Sequence, residues 1–499
     1  MLSWSGLESA CRQGLSLVFF LLTMRFMAPA DLGVFSLAVA LIAVVGIIID
    51  EPIGEALVQR DNVSALDWDT GYTVNLGVAL ACLLLSGIAS VVLAALAPSP
   101  LVLALPALSL SSLVGALGNI HKAYLGRLLN FRAIAKTALA AQLVAGIVML
   151  SSAAMGFGWW ALVLNVLIAA MITSAIYRHI TPWRSRLRIS RATIADLASY
   201  VGYSAAIRSV YLLRDQPLLI AAGAVLGLTS AGYLSLAMRV ARTVGQLFED
   251  VTSRPLISLV SRKKDDLGQF GAVLTQVLFI VGVLALPGLL MLAEIGTPIL
   301  RVLLGKAWAP AGNLLPWVCA AVGGWLLLHI VAVALRARGL GRLAVCLTAP
   351  AAIIDLGIFA SAAVFGFDWT LRLWAARSLL VIPVLIPILS TRLGVRALDL
   401  VRVWLLPIAA TFLMLGSLRF VESHQVAAPG ISGVILLAGA GAVVYVATFA
   451  ATYGMNGLLS AFSALPGRSR SGRGDNVLIT GGQPDFNRPR NNSSPENSS

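Results

Sequence analysis

The chain has 499 residues, 59% hydrophobic and only 12% charged, with a mean hydropathy of +0.89. A water-soluble protein of this length needs more charge than that to cover its surface, so a soluble globular fold is excluded. The net charge of +14 does not indicate a nucleic-acid binder, because the basic residues fall in short loops between apolar runs and form no single patch.

Fourteen apolar runs approach or exceed the length that spans a bilayer as helix. They predict spans at 7–27, 32–49, 70–96, 101–121, 137–154, 159–177 and 199–221 in the first part of the chain. The rest are 231–257, 272–295, 313–335, 343–364, 370–390, 403–421 and 430–453. The seventh and eighth carry internal charges. The first carries Glu8 and Arg12 and lacks a small-residue cleavage site, so no cleavable signal is expected. Loops after even-numbered spans, from Arg60 to Arg402, hold nineteen Lys and Arg, while the alternate loops hold little beyond Arg301 and Lys306. By the positive-inside rule both termini are expected in the cytoplasm. From about Leu465 the composition turns to Ser, Asn, Gly, Pro and Arg, which cannot bury a core and predicts a disordered cytoplasmic tail. Its sequon at Asn492 would then lie on the wrong side for glycosylation.

Residues 26–38 recur in weakened form at 225–237: Gly33 aligns with Gly232, Ser36 with Ser235, Leu37 with Leu236 and Ala38 with Ala237. In a membrane chain, two similar halves suggest lobes that rock about a shared cavity. Six spans separate the copies, an even number, so the halves have the same orientation and their pseudo-two-fold axis runs along the membrane normal. The expected fold is an all-α polytopic membrane protein with about fourteen transmembrane helices. Its parts are a six-helix lobe at 1–178, a basic cytoplasmic loop at 179–198, a second six-helix lobe at 199–391, two additional helices at 392–464 and a tail at 465–499.

Charges inside spans are expensive and usually face a cavity or a partner. Span seven carries Ser204, Arg208, Tyr211 and Asp215 on one helix face, and span eight carries Ser235, Arg239, Arg242, Gln246 and Glu249. Arg208, Arg239 and Arg242 all reach about mid-membrane at 1.5 Å per residue. They form either a cationic pocket or internal pairs, Arg208 with Asp215 and Arg242 with Glu249. Glu8 and Arg12 suit a local ion pair, and Arg25 suits snorkelling to the outer interface. In span twelve Asp368 lies one turn before Arg372, with Arg377 beyond, which suits a structural pair. Asp355 stands alone among apolar neighbours, either carrying a proton or accepting hydroxyl hydrogen bonds within its lobe.

The four histidines, His121, His179, His329 and His424, are scattered, three of them at span ends, as interface residues are. Cys11, Cys82, Cys319 and Cys346 have no metal-ligand spacing and read as packing residues without disulfides. There is no Walker loop, no Gly-x-Ser-x-Gly, no His-Glu-x-x-His and no carboxylate pair with a partner base. No cofactor, metal or covalent catalysis is expected, and energy must come from a gradient or another chain.

Asp31-Leu32-Gly33-Val34-Phe35-Ser36-Leu37-Ala38, Ala-Leu-Val-Gln-Arg at 56–60, Arg214-Asp215 with Leu218-Leu219-Ile220, Gly232-Tyr233-Leu234-Ser235-Leu236-Ala237, and Gly305-Lys306-Ala307-Trp308-Ala309-Pro310-Ala311 carry a resemblance. Over roughly the first 350 residues the chain resembles the polysaccharide transporter family of bacterial lipid-linked oligosaccharide flippases. That family belongs to the superfamily of multidrug and toxin extruders and lipid II flippases. One departure is Glu51-Pro52 after Asp50, where the family continues with an apolar residue and glycine, which puts the local helix end and cation coupling in doubt.

The resemblance implies an inner-membrane protein that flips an undecaprenyl-pyrophosphate-linked sugar repeat unit to the periplasmic leaflet ahead of polymerisation. Arginine suits such a cargo because it makes bidentate contacts to phosphate oxygens. Arg208, Arg239 and Arg242 are the first candidates for the pyrophosphate or acidic sugars, followed by Arg12, Arg25 and Arg214. Asp50, Asp215 and Asp355 are candidates for gating or ion coupling. The expected partners are the lipid-linked oligosaccharide, the bilayer and a polysaccharide polymerase, with no nucleic acid, and the expected state is a monomer. The rivals are a cation-coupled drug extruder, which would need an acidic or aromatic cavity, a multi-pass polysaccharide-modifying enzyme, which would need a base in a long outer loop, and a scaffold without transport of its own.

Overall fold

The computed structural model describes residues 14–45, 52–96, 99–263, 267–423 and 430–463. Among these there is no strand. The helices begin with α1 (Gly14–Met24), α2 (Pro29–Val45), α3 (Pro52–Gln59), α4 (Ala65–Leu96), α5 (Leu101–Arg127) and α6 (Phe131–Ala154). They continue with α7 (Trp160–Ile180), α8 (Arg191–Leu226), α9 (Leu228–Lys263), α10 (Leu267–Leu304) and the short α11 (Ala309–Gly312). The last are α12 (Leu315–Ala337), α13 (Gly341–Ala360), α14 (Ala362–Phe365), α15 (Phe367–Leu393), α16 (Ala397–Ser423) and α17 (Ile431–Ser463). By contacts the chain forms one unit through Thr452 and a short second unit from Tyr453, whose described part is the end of α17.

Ten described helices are long and apolar enough to cross a membrane, against the fourteen spans expected. The others carry the repeat and the charges: α1 and α2 are short apolar helices, and only the end of α8 is a continuous apolar stretch. At 36 residues each, α8 and α9 would measure about 54 Å at 1.5 Å per residue. They outrun a hydrocarbon core of about 30 Å.

Local chemistry sets the repeat elements. Pro29 occupies the first position of α2, where its missing N–H costs nothing, and the Asp31 carboxylate accepts the Ala28 amide hydrogen at 3.2 Å. Gly227 alone joins α8 to α9 at a φ of +83°, a backbone conformation that residues with a Cβ rarely adopt. The two helices that follow these turns, α2 and α9, then pack on each other at Gly33 and Gly232. A Cβ on Gly33 would overlap the Leu228 carbonyl, and one on Gly232 would overlap the Pro29 carbonyl.

The helix after the basic connector begins earlier than the expected bound of 199, and the connector is hydrogen-bonded to α4. Residues 191–198 are the first turns of α8, because the Ser190 hydroxyl caps the helix by accepting the Thr193 N–H at 3.3 Å. The preceding stretch is laid along the start of α4. Trp183 Nε1 and the Arg186 amide both donate to Asp69 Oδ1, at 3.1 and 3.0 Å. The Arg188 and Ser190 amides donate to the hydroxyls of Thr73 and Thr70, each at 3.1 Å. Trp183 also packs among Trp68, Tyr72, His121 and Tyr124. His121 is therefore fully buried in an aromatic cluster and is not the interface residue its position near a span end suggested. Nearby, the Arg127 guanidinium collects the carbonyls of Leu57, Val58, Arg60 and Asp61 at the end of α3, where a cation complements the helix dipole.

Asp69 is buried and accepts two of these four donors, so Asp69→Ala should release the connector. Losing hydrogen bonds to a charged acceptor costs about 1.5–3 kcal/mol each, so tryptic cleavage after Arg184 and Arg186 should accelerate about tenfold or more in the purified protein. Unchanged cleavage would show that other contacts hold the connector.

Candidate functional site

Beneath the crossing of α2 and α9 lies a cavity of about 380 Å³. Ser16, Leu17 and Phe20 of α1 and Leu32, Phe35, Ser36 and Val39 of α2 line one side. Gln216 and Leu219 of α8, and Ser235, Met238, Arg239, Arg242, Thr243 and Gln246 of α9, line the other. The aligned serines of the repeat, Ser36 and Ser235, thus face the same space. The Ser36 hydroxyl satisfies itself within the helix by donating to the Leu32 carbonyl.

Among the described residues, the charged ones lining this cavity are Arg239 and Arg242. At 1.5 Å per residue along α9 they stand about 10 and 15 Å from Gly232. The Arg239 guanidinium lies 4.0 Å over the Phe20 ring and donates to the Ser16 hydroxyl at 3.4 Å. Both partners belong to α1, so this side chain reaches across the cavity. Among the described residues it has no carboxylate partner. An arginine held by an aromatic face and a hydroxyl keeps most of its attraction for an anion.

At the other end the space is closed. Trp308, in the turn between α10 and α11, is fully buried, donates from Nε1 to the Met24 carbonyl at 2.9 Å, and meets Tyr233 edge-on at 6.3 Å. The Gly-Lys-Ala-Trp-Ala-Pro stretch therefore seals the end of α1 against α9, on the same side as the Gly33–Gly232 contact.

The remaining sequence candidates separate. Arg25 is exposed in the turn between α1 and α2 and does not line the cavity. Arg208, Arg214 and Asp215 belong to α8, but their side chains lie outside the described residues, as do Arg12, Asp50 and Glu249. Asp355 does not stand alone: its Oδ2 accepts from Arg377 Nη2 in a buried ion pair between α13 and α15. The expected Asp368–Arg372 pair is absent among the described residues. Asp368 sits in the first turn of α15, a favourable place for an anion, and Arg372 lies 5.6 Å over the Trp317 ring. Sequence reasoning weighed neither the partner nor the aromatic because both lie on other helices. Among the described residues no group of three or more His, Cys, Asp or Glu is placed to hold a metal.

Ten described helices long and apolar enough to cross a membrane mark an integral, multi-pass membrane protein. A family model described as polysaccharide biosynthesis protein matches residues 22–313, and the chain belongs to that family. It is 24% identical over 326 residues to the lipopolysaccharide biosynthesis protein WzxC of Escherichia coli strain K12, a match covering 63% of this chain and 65% of that protein. It is 22% identical over 323 residues to the succinoglycan biosynthesis transport protein ExoT of Rhizobium meliloti strain 1021, covering 64% of this chain and 65% of that one. The match thus spans just under two thirds of the length of either relative.

The fold is similar to the lipid II flippase MurJ in an inward closed conformation, with a TM-score of 0.70 at 12% identity, covering 91% of this chain and 99% of that one. It is also similar to an inward-facing multidrug resistance MATE family transporter of the MOP superfamily. There the TM-score is 0.57 at 13% identity, covering 76% and 96% of the two chains.

The crossing leaves no room for a side chain. Gly232→Val should cost about 1–3 kcal/mol through overpacking, read as a lowered unfolding midpoint of the purified protein. Gly87→Val, at a position open to space, is the control and should leave the midpoint within the range of a surface change. Equal effects at both positions would contradict the close contact.

Proposed function

We propose that this protein is a transporter, not an enzyme, and moves polyprenyl-pyrophosphate-linked oligosaccharide repeat units across a bacterial inner membrane for surface polysaccharide synthesis. The observation that carries this reading is the cavity with Arg239 and Arg242 on its wall and Arg239 held, among the described residues, by Phe20 and Ser16. Family membership and the transport role in the name of one relative support it. A pyrophosphate is a multivalent anion, and two guanidiniums at successive turns of one helix suit its oxygens. The described charges of the cavity would repel an organic cation, which argues against a drug extruder.

In this reading the chain forms two six-helix lobes, 1–178 and 199–391, joined by the basic connector, with both termini in the cytoplasm. The Gly33–Gly232 and Trp308–Met24 contacts then close the periplasmic end, and the cavity is reached from the cytoplasm. The head group neutralises the arginines, the lobes close beneath it, and the glycine crossing parts to release it outside while the polyprenyl tail stays in lipid. Polymerase machinery takes the product.

The test is Arg239→Gln/Arg242→Gln in the native bacterium. Each lost charge-assisted hydrogen bond is worth about 1.5–3 kcal/mol, so export should fall about tenfold or more, with completed lipid-linked repeat units accumulating on the cytoplasmic side. Normal polymer export by the double variant would overturn the reading. Failure to complete the repeat units would place the protein in synthesis instead.

A further inference from the structure

The connector is held through its backbone, which leaves its side chains for another partner. The amides of Arg186, Arg188 and Ser190, every second residue, donate to Asp69, Thr73 and Thr70 of α4. From Arg178 to Arg191 the sequence has five arginines and no acidic residue. All five arginines are exposed, and none has a carboxylate partner among the described residues. Arg184 donates to the Arg178 carbonyl at 3.0 Å, a contact that leaves its charge uncompensated. Carboxylates around the connector are already engaged: Asp69 with Trp183 and the Arg186 amide, Asp67 and Asp196 with Arg60.

Interleaved with these charges, Leu187 and Ile189 are 71% and 64% exposed. The backbone is pinned on both sides of each, so neither can be withdrawn from the surface by a rearrangement of the loop. A fixed pair of apolar side chains favours an apolar neighbour over water. The depth of the segment decides which neighbour that is. The charges of α4, Asp67 and Asp69, lie in its first turns. Its uncharged stretch from Val74 to Leu96 measures about 34 Å at 1.5 Å per residue, enough for a hydrocarbon core of about 30 Å. The turns that carry Asp69, Thr70 and Thr73, and the connector bound to them, therefore stand at the level of the lipid headgroups.

We propose that the connector is a docking surface for the anionic phospholipid of the cytoplasmic leaflet. The arginines meet headgroup phosphates, and Leu187 and Ile189 enter among the first carbons of the acyl chains. Each basic residue at an anionic membrane surface strengthens attachment about fivefold, an effect that salt screens. An acidic protein would suit the arginines but would leave the apolar pair at headgroup depth without a partner. The cytoplasmic side is taken from the flippase reading, while the lipid contact itself is measured without transport.

The experiment is limited trypsin digestion of the full-length protein in nanodiscs of phosphatidylcholine alone or with equal parts phosphatidylglycerol. A soluble arginine peptide in the same tube reports the protease itself. Cleavage after Arg184, Arg186 and Arg188 should slow about tenfold or more in the anionic discs, the scale of two such arginine contacts. Leu187→Ser/Ile189→Ser keeps every cleavage site, and Arg178→Gln/Arg191→Gln removes two charges outside them. Each should lose most of the protection, with the unfolding midpoint as the check on folding. Raised salt should do the same to the wild type, which needs no variant.

Equal cleavage in the two lipids overturns the proposal and leaves the arginines as a topology signal only. So does protection that survives both variants undiminished, which would place the anionic lipid elsewhere on the protein. Protection reproduced in phosphatidylcholine discs by inorganic phosphate or pyrophosphate would overturn it too, by making this a site for a soluble anion. Lipid protection combined with normal export by the Arg239→Gln/Arg242→Gln protein would keep the docking surface and discard the flippase reading.

Discussion

The close contact of Gly33 with Gly232 is the constraint on which the rest of the arrangement depends. Each glycine lies against backbone of the other helix, near the start of α2 and of α9, so the two helices touch main chain to main chain at one level. Without hydrophobic exclusion by water to drive association in lipid, small residues that allow such contact supply the packing that holds helices together. Helices that meet so closely at one point and cross there must diverge beyond it. The divergence opens the cavity, and one turn below the contact it leaves Ser36 and Ser235 facing the same space. Trp308 completes the closed end by filling the room beside the crossing and satisfying the Met24 carbonyl.

The charges follow from this geometry. Within α9, Gly232, Ser235, Arg239, Arg242 and Gln246 follow one another at three- and four-residue intervals, so a helix face that begins as a packing surface becomes a polar wall as the neighbouring helix moves away. Arg239 is held by a ring and a hydroxyl of α1, and Arg377 by a carboxylate of α13. The first arrangement leaves most of the positive charge available to a ligand, while the second neutralises the ion and fixes its direction. The two arginines are therefore suited to different tasks, one left open to an anion and one held in an ion pair between helices.

Much of this was legible in the chain itself. Apolar runs and sparse charge set an all-helical membrane protein, and the offset repeat pointed to the two turns that turn out to touch. Arg239 and Arg242 stood out because their spacing puts them on one face with Ser235 and Gln246. What stayed hidden depends on partners from other helices: the Asp355–Arg377 pair joins α13 and α15, Trp308 meets a carbonyl distant in sequence, and Arg372 finds Trp317 and not Asp368. The hold on the connector stayed hidden for a related reason. Its run of arginines looks like a solvated loop, yet its backbone amides and Trp183, not its charges, decide its position on Asp69, Thr70 and Thr73.

The central claim is that both repeat copies face one cavity, closed at the glycine crossing and reached from the opposite side of the membrane. Ser36→Cys and Ser235→Cys, each placed in a protein whose native cysteines are replaced, test it most directly through labelling with a membrane-impermeant thiol reagent. The account predicts that both positions react in inside-out vesicles and neither reacts in intact spheroplasts, with added pyrophosphate slowing both. Labelling of only one of the two, or of both from the periplasmic side alone, would contradict it.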